Sequence, residues 1–336
     1  MAYYNVNRII KLTRIAVGMT KEELCEGICS VITLSRIEKD AAVKKDIYKQ
    51  LMKRMGRIAE GCYVVGAGHG GSLLEEQEEM EKAFRCQDYE EAEQCLLRMK
   101  CKADNNVLTK QYLSRAEALA EYYQKRIGER ELFARISEVL RWTVPEYERY
   151  AREDKLFPFV KEELLAVMNL GTIYSLLGDY EKSLRTYGIV LRCLDADYIG
   201  MPDNQAIRIA VHYNISKVYE YQGKNEEALK KINNCLKMAE EIGYGRMFAK
   251  LLVSKADNFI KLAEQEKKEV MHDKFWDEAD KCLREAYYIA AARKDEDYIK
   301  IIRNYNVEGV GKCLNRRNNS CMEHQQEFEW NIGKIV

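Results

Sequence analysis

The segment VMNLGTIYSLLGDYEKSLRTY (Val167–Tyr187) aligns without a gap on HYNISKVYEYQGKNEEALKKI (His212–Ile232). Each copy places an asparagine, an aliphatic residue and a small residue in a row: Asn169, Leu170, Gly171 and Asn214, Ile215, Ser216. A tyrosine follows three residues on (Tyr174, Tyr219), then a glycine (Gly178, Gly223), then a small residue (Ser183, Ala228). This pattern predicts a helical hairpin. The small residue lets a second helix approach, the tyrosine fills the space between helices, and the glycine makes the turn.

Further helices surround the two copies. Asp88-Tyr89-Glu90-Glu91-Ala92 has the look of a second helix near the start of the array. Leu252–Phe259 followed by Trp276-Asp277-Glu278-Ala279 predicts a repeat with an insertion over Lys261–Phe275, and Tyr298–Leu314 a terminal capping helix. Only three prolines occur, and apolar residues recur with helical period nearly throughout. The fold class is therefore all-α. The two copies lie 45 residues apart, against about 34 for the commonest repeat of this kind, so longer helices or loops are expected.

These residues resemble the tetratricopeptide repeat, which implies a superhelical array, an α-solenoid, with a ligand-binding inner groove. Counting from the packed positions, the groove face of one repeat holds Met168, Thr172 and Ser175, and that of the next holds Tyr213, Lys217 and Glu220. Asn169 and Asn214 lie at its border, where an amide can both donate to and accept from a peptide backbone. Asparagine is also common there in ordinary repeats, tying one repeat to the next. Ser254 takes the equivalent place in a third repeat. Lys217 suits a peptide carboxylate, although a solvated surface lysine reads the same way. The candidate peptide-binding residues are thus Asn169, Thr172, Tyr213, Asn214, Lys217 and Ser254.

Upstream, Asn7–Val17 reads as a helix with Ile9, Ile10, Leu12 and Ile15 as its apolar residues and Gly18 as its stop. Thr20 and Glu23 have the spacing of a capping box that opens a second helix ending near Gly27. Ser30 offers the next cap, before Thr33-Leu34-Ser35-Arg36-Ile37-Glu38, and Ile47–Met55 supplies a closing helix. Two short helices across a tight turn form helix-turn-helix grammar. Residues 1–57 hold twelve basic and six acidic side chains, a net of +6, in a chain whose total is zero. That excess favours phosphate.

The stretch GMTKEELCEGICSVITLSRIEKD (Gly18–Asp40) resembles the Cro/repressor-type helix-turn-helix family, in the variants fused to helical repeats. The resemblance implies a recognition helix from about Val31 to Ile37, with Leu34 and Ile37 packed inward. By position it implies base reading by Val31, Ile32, Thr33 and Arg36, and phosphate contacts by Thr20, Lys21, Ser35 and Lys39. Val31 and Ile32 depart from the polar residues usual there. Apolar groups can read a thymine methyl but form no bidentate pair, so direct readout is expected to rest on Arg36 and Thr33, with DNA shape contributing.

With the phrase Val139-Leu140-Arg141-Trp142-Thr143-Val144-Pro145, the whole chain is similar to the peptide-pheromone receptor regulators of Gram-positive bacteria. That similarity implies three regions: a DNA-binding domain over 1–58, a linker over 59–76, and a repeat domain for sensing and dimerisation over 77–336. It also implies double-stranded DNA and a short peptide or protein ligand as partners, and a homodimer matched to paired half-sites. The alternative is a regulator or adaptor whose repeats bind a partner protein, with a vestigial helix-turn-helix.

Gly66-Ala67-Gly68-His69-Gly70-Gly71 matches GxGxxG, but a glutamate-rich helical stretch (Glu75, Glu76, Glu78, Glu79, Glu81) follows it. A dinucleotide site needs a βαβ unit and a helix start that tolerates anions, so the glycines read as linker. No cofactor is expected. The eleven cysteines, including Cys95, Cys235 and Cys282 at core-like positions, read as reduced thiols. Cys25 and Cys29 form a lone CxxxC without metal-site partners. The opening residues, with Tyr3, Asn5 and Arg8, lack the apolar run of a secretion signal, and no stretch matches a membrane span. A cytoplasmic protein without a membrane partner is the expectation. No nucleophile–base pair or paired carboxylates stand out, and Glu323-His324 and His212 are isolated. An enzyme is not expected.

Overall fold

The computed structural model describes residues 4–58, 72–85, 88–103, 106–201, 203–303 and 305. The Gly66–Gly71 motif, linker residues 59–71, the end of the expected capping helix and Glu323-His324 lie outside these residues. Regular structure among them is helical, apart from a single antiparallel bridge between Tyr4 and Ile199.

Four helices form the N-terminal module: α1 (Val6–Val17), α2 (Lys21–Cys25), α3 (Val31–Ile37) and α4 (Lys45–Arg54). Their ends are fixed by the local chemistry read from the sequence. Gly18, at φ 79°, adopts the left-handed conformation that stops α1. Thr20 Oγ1 accepts from Glu23 N while Glu23 Oε2 accepts from Thr20 N, a complete capping box. Ser30 Oγ accepts from Thr33 N and starts α3. Ile9, Ile10, Leu24, Leu34, Ile37, Tyr48 and Leu51 form the core. Ile15, expected inside, is 54% exposed. Thr13 and Ala16 take the buried positions of that turn.

The chain then continues as α5 (Ser72–Arg85), α6 (Tyr89–Lys102), α7 (Val107–Tyr123), α8 (Glu129–Arg141), α9 (Tyr147–Arg152), α10 (Lys161–Leu176) and α11 (Tyr180–Asp195). It ends with α12 (Asp203–Tyr221), α13 (Asn225–Glu241), α14 (Phe248–Gln265), α15 (Glu269–Ala292) and α16 (Glu296–Arg303). These divide into two compact units, the first ending at Asn204 and the second beginning at Gln205.

The two aligned segments are the hairpins α10–α11 and α12–α13. Gly178 and Gly223 turn at φ 80° and 70°. A Cβ on Gly171 would lie 2.9 Å from the Tyr187 ring, and Ser183 Oγ donates to the Gly171 carbonyl at 2.7 Å, so the close approach predicted there is present. Tyr174 is half-buried and packs against Phe133 of α8, 5.2 Å between ring centroids. Within its own hairpin, Lys182 Nζ of α11 lies over the same ring, 5.7 Å from its centroid.

The insertion expected over Lys261–Phe275 is mostly helix. α14 runs on to Gln265, α15 begins at Glu269, and the connection is short. Both helices are longer than the repeat pattern anticipates. They pack through small residues, Ala256, Ala279, Ala286 and Ala290, all buried. Cys95, Cys235 and Cys282 are buried thiols, and no helix among the described residues is long and apolar enough to cross a membrane.

Candidate functional site

The N-terminal module presents α3 to solvent. Ile32 is 72% exposed. Arg36, Lys39 and Thr20 are also exposed, whereas Val31, Thr33, Ser35 and Lys21 are half-buried. Leu34 and Ile37 turn inward, as the resemblance implied.

Several of these side chains are already engaged. Thr33 Oγ1 pairs with Ser30 Oγ at 2.8 Å, inside the cap. Lys21 Nζ donates to Ser35 Oγ at 3.0 Å and lies 3.5 Å from Glu38. Lys21 and Ser35, expected to face phosphates separately, therefore form one cluster with the end of α3.

The helix is held from behind by residues the sequence reading passed over. Arg14 of α1 forms a fork to Glu38, at 2.7 and 3.2 Å, and donates to the Met19 carbonyl. Asn7 Nδ2 donates to the carbonyls of Ile37 and Ala41, both at 2.7 Å, satisfying the C-terminal end of α3. Arg54 reaches the carbonyls of Leu24 and Glu26 at the end of α2. Arg14, Arg54 and Arg57 are thus structural, and the positive surface is supplied mainly by exposed lysines: Lys11, Lys39, Lys44, Lys45, Lys49 and Lys53.

The same unit joins this module to α10. The Arg57 guanidinium, just past α4, makes a bidentate pair with Glu163 at 2.8 and 2.9 Å. It also donates to the Thr143 carbonyl at 3.1 Å and lies over Phe157. Glu163 Oε2 accepts from Val160 N in turn, at the first turn of α10. On the other side, Asn5 N donates to the Tyr198 carbonyl and Lys161 N to Tyr4 Oη, each at 2.9 Å.

The groove candidates are more deeply placed than the repeat pattern suggested. In the first unit Asn169 and Thr172 are 2% and 1% exposed. Arg115 of α7 donates to Glu162 Oε2 at 3.2 Å and lies 3.4 Å from Asn169 Oδ1. Thr172 Oγ1 is 2.7 Å from Tyr187 Oη. Arg115 Nε is buried with no hydrogen-bond partner among the described residues.

In the second unit, Tyr213 belongs to the core and Asn214 is half-buried. Lys217 is no surface lysine: it is 2% exposed and pairs with Glu220 at 2.9 Å. Glu220 also accepts from Ser254 Oγ at 3.1 Å and Asn258 Nδ2 at 2.6 Å. Tyr213, Lys217 and Ser254 are therefore neighbours through one buried polar network. Periodicity placed Tyr213, Lys217 and Glu220 on one face but could not show that Ser254 and Asn258 of α14 cover it.

Asp257 adjoins this network, accepting from Tyr305 Oη at 2.7 Å. Burial pushes its carboxyl up to about 6; Glu220 adds repulsion, while Lys217, Lys261 and the Tyr305 hydrogen bond pull it down. A carboxyl raised on folding contributes stability that is present below its unfolded value near 4 and is lost as pH rises through about 6. The wild-type protein is expected to gain more thermal stability between pH 7.5 and 5.5 than an Asp257→Asn variant. Equal pH responses in the two melts would contradict that burial.

No protein-family profile and no curated protein sequence matches the chain. Solved structures do. The chain is similar to PlcR of Bacillus thuringiensis in complex with the peptide PapR7 and DNA, at TM-score 0.56 and 18% identity, over 90% of this chain and 99% of that one. It is also similar to ComR of S. thermophilus in complex with DNA and its signalling peptide ComS, at TM-score 0.50 and 16% identity, over 89% and 98% of the respective chains. The shared feature is the fold, a helix-turn-helix module followed by tetratricopeptide-like helices.

Proposed function

We propose that this chain is a DNA-binding transcriptional regulator whose repeats sense a short peptide and shift operator binding by a homodimer. The observation that carries the reading is the exposed, lysine-flanked face of α3, on a fold that in two solved structures was captured with both a peptide and DNA. Residues 1–58 are the DNA-binding domain, 59–76 the linker, whose last five residues already belong to α5, and 77–336 the sensing and dimerisation domain. Thr20, Lys21, Val31, Ile32, Thr33, Ser35, Arg36 and Lys39 form the DNA face. Asn169, Thr172, Tyr213, Asn214, Lys217 and Ser254 are the peptide-contacting residues. A peptide contacting any of these side chains must exchange its own polar groups for the hydrogen bonds they now make, because a buried group left unpaired costs about 1–3 kcal/mol. Dimerisation follows from half-site logic, since one small helix-turn-helix covers only one half-site.

The test is binding of the purified protein to its own upstream DNA at two salt concentrations, beside Arg36→Ala. Specific binding that weakens with salt, and that falls roughly 5- to 100-fold in the variant, is expected from the loss of one bidentate base contact. Equal affinity of both proteins would remove Arg36 from the DNA face. No binding by either, with or without short peptides encoded by neighbouring genes, would favour the adaptor reading.

A further inference from the structure

Most side chains of the recognition helix are occupied before any DNA arrives. The Thr33 hydroxyl closes the cap with Ser30, and Ser35 accepts from Lys21. Glu38 is held by Arg14, and Val31 is half-buried. Two outward groups remain uncommitted within the helix. Ile32 stands 72% exposed in its first turn, and Arg36 is exposed, its side chain making no hydrogen bond or ion pair among the described residues.

They are four residues apart, so they share one face of α3 and are separated by about 6 Å along its axis. Base pairs rise about 3.4 Å each. Side chains at this spacing reach positions about two base pairs apart when a helix lies in the major groove.

Each group matches one feature of that groove. The 5-methyl of thymine is its apolar group, and guanine O6 with N7 is the acceptor pair that a guanidinium fork fits. A single exposed isoleucine is ordinary on a protein surface. This one is set apart by its place, in the first turn of the helix that the DNA-binding reading puts in the groove, with the neighbouring polar side chains tied to one another. Exposed Lys39, Lys44, Lys45, Lys49 and Lys53 follow in the same module and supply charge complementary to phosphates.

Resting on the DNA-binding reading above, we infer that Ile32 and Arg36 are the specificity-determining pair: each half-site carries a thymine whose methyl packs on Ile32 and a guanine, about two base pairs away, held by Arg36. Thr33 orders the helix start instead of reading a base. The expectation drawn from sequence, that direct readout rests on Thr33 and Arg36, shifts to Ile32 and Arg36.

The full-length protein is used to select duplexes from a random-sequence pool at low salt. The selected duplex is then resynthesised with single thymine-to-uracil or guanine-to-7-deazaguanine replacements. Uracil removes only the methyl, and 7-deazaguanine only the N7 acceptor. Uracil at one position per half-site is expected to weaken wild-type binding about fourfold, the worth of one buried methyl-sized group. Ile32→Ala should bind the thymine and uracil duplexes equally, whereas Ile32→Val should still discriminate. A guanine about two positions away should be sensitive to 7-deazaguanine in the wild type and insensitive in Arg36→Ala. Because Ile32 is exposed, the melting temperature of Ile32→Ala serves as the folding control and should not change. Tolerance of uracil at every thymine, or discrimination persisting in Ile32→Ala, overturns the assignment while DNA binding stands. Failure of the wild type to enrich any sequence, with or without short peptides encoded by neighbouring genes, overturns the assignment together with the DNA-binding reading.

Discussion

Arg57→Ala is expected to destabilise the first compact unit by about 3–5 kcal/mol, the range for removing one partner of a buried ion pair. The Arg57 and Glu163 side chains are 6% and 1% exposed, so solvent cannot replace the missing guanidinium. Without it the Glu163 carboxylate keeps one backbone donor, Val160 N, at the start of α10. The Thr143 and Pro158 carbonyls lose their donor as well. Urea unfolding measures the loss as a drop in midpoint. The pair Arg57→Met with Glu163→Leu should recover much of it, because two apolar side chains of similar volume leave no charge buried. An unfolding free energy within about 0.5 kcal/mol of wild type for the single variant, the range of ordinary surface changes, would show that the pair is hydrated in solution. The effect also separates two roles of arginine in the N-terminal module. Arg57 anchors the module to α10, while Arg36 leaves its core untouched.

Glu220→Ala should produce a loss of similar size, about 3–5 kcal/mol, confined to the second compact unit. Glu220 neutralises Lys217, both side chains being at most 3% exposed, and accepts from Ser254 and Asn258. Removing it takes away the carboxylate that faces the buried ammonium and the acceptor that Ser254 Oγ and Asn258 Nδ2 share. Asp257 reports the change independently. Glu220 repels its charged form, so the variant should show a smaller gain in stability on acidification than the wild type. Hydrogen exchange of α12, α14 and α16 would locate the loss. Faster exchange in those helices, with α1–α4 unchanged, is the expected pattern. Uniform acceleration across the chain would mean that the network does not act locally.

Where the chemistry is local, the sequence was readable residue by residue. Thr20 with Glu23, and Ser30 with Thr33, lie three positions apart, so their caps need only the helix start itself. Gly178 and Gly223 sit where a left-handed turn is required, and Gly171 sits where a Tyr187 ring leaves no room for a Cβ. The insertion over Lys261–Phe275 is taken up mostly as extra helix in α14 and α15, which its charged sequence does not distinguish from loop. Charge on an exposed helical face breaks the apolar pattern without breaking the helix.

The groove residues show the opposite limit. Periodicity placed Tyr213, Lys217 and Glu220 on one face of α12, and that placement stands. It could not supply Ser254 and Asn258 from α14, which close over Glu220 and turn a polar stripe into a buried network. Burial of a polar side chain depends on what another helix brings to it, and that partner lies more than thirty residues away.

By itself, then, the sequence determined the helical class, the helix-turn-helix, the hairpin turns and the close approach at Gly171, because each follows from backbone preferences and side chains a few positions apart. The tertiary structure decided which charges are spent. It tied Arg14 to Glu38, Arg54 to the end of α2 and Arg57 to Glu163, paired Lys217 with Glu220, bound Thr33 and Lys21 to their neighbours, and left Ile32 and Arg36 facing out. The physical reason is that an ion pair or a buried hydrogen bond is fixed by distance in space. Arg57 and Glu163 are 106 positions apart, and the chain between them carries no trace of the pair in its pattern.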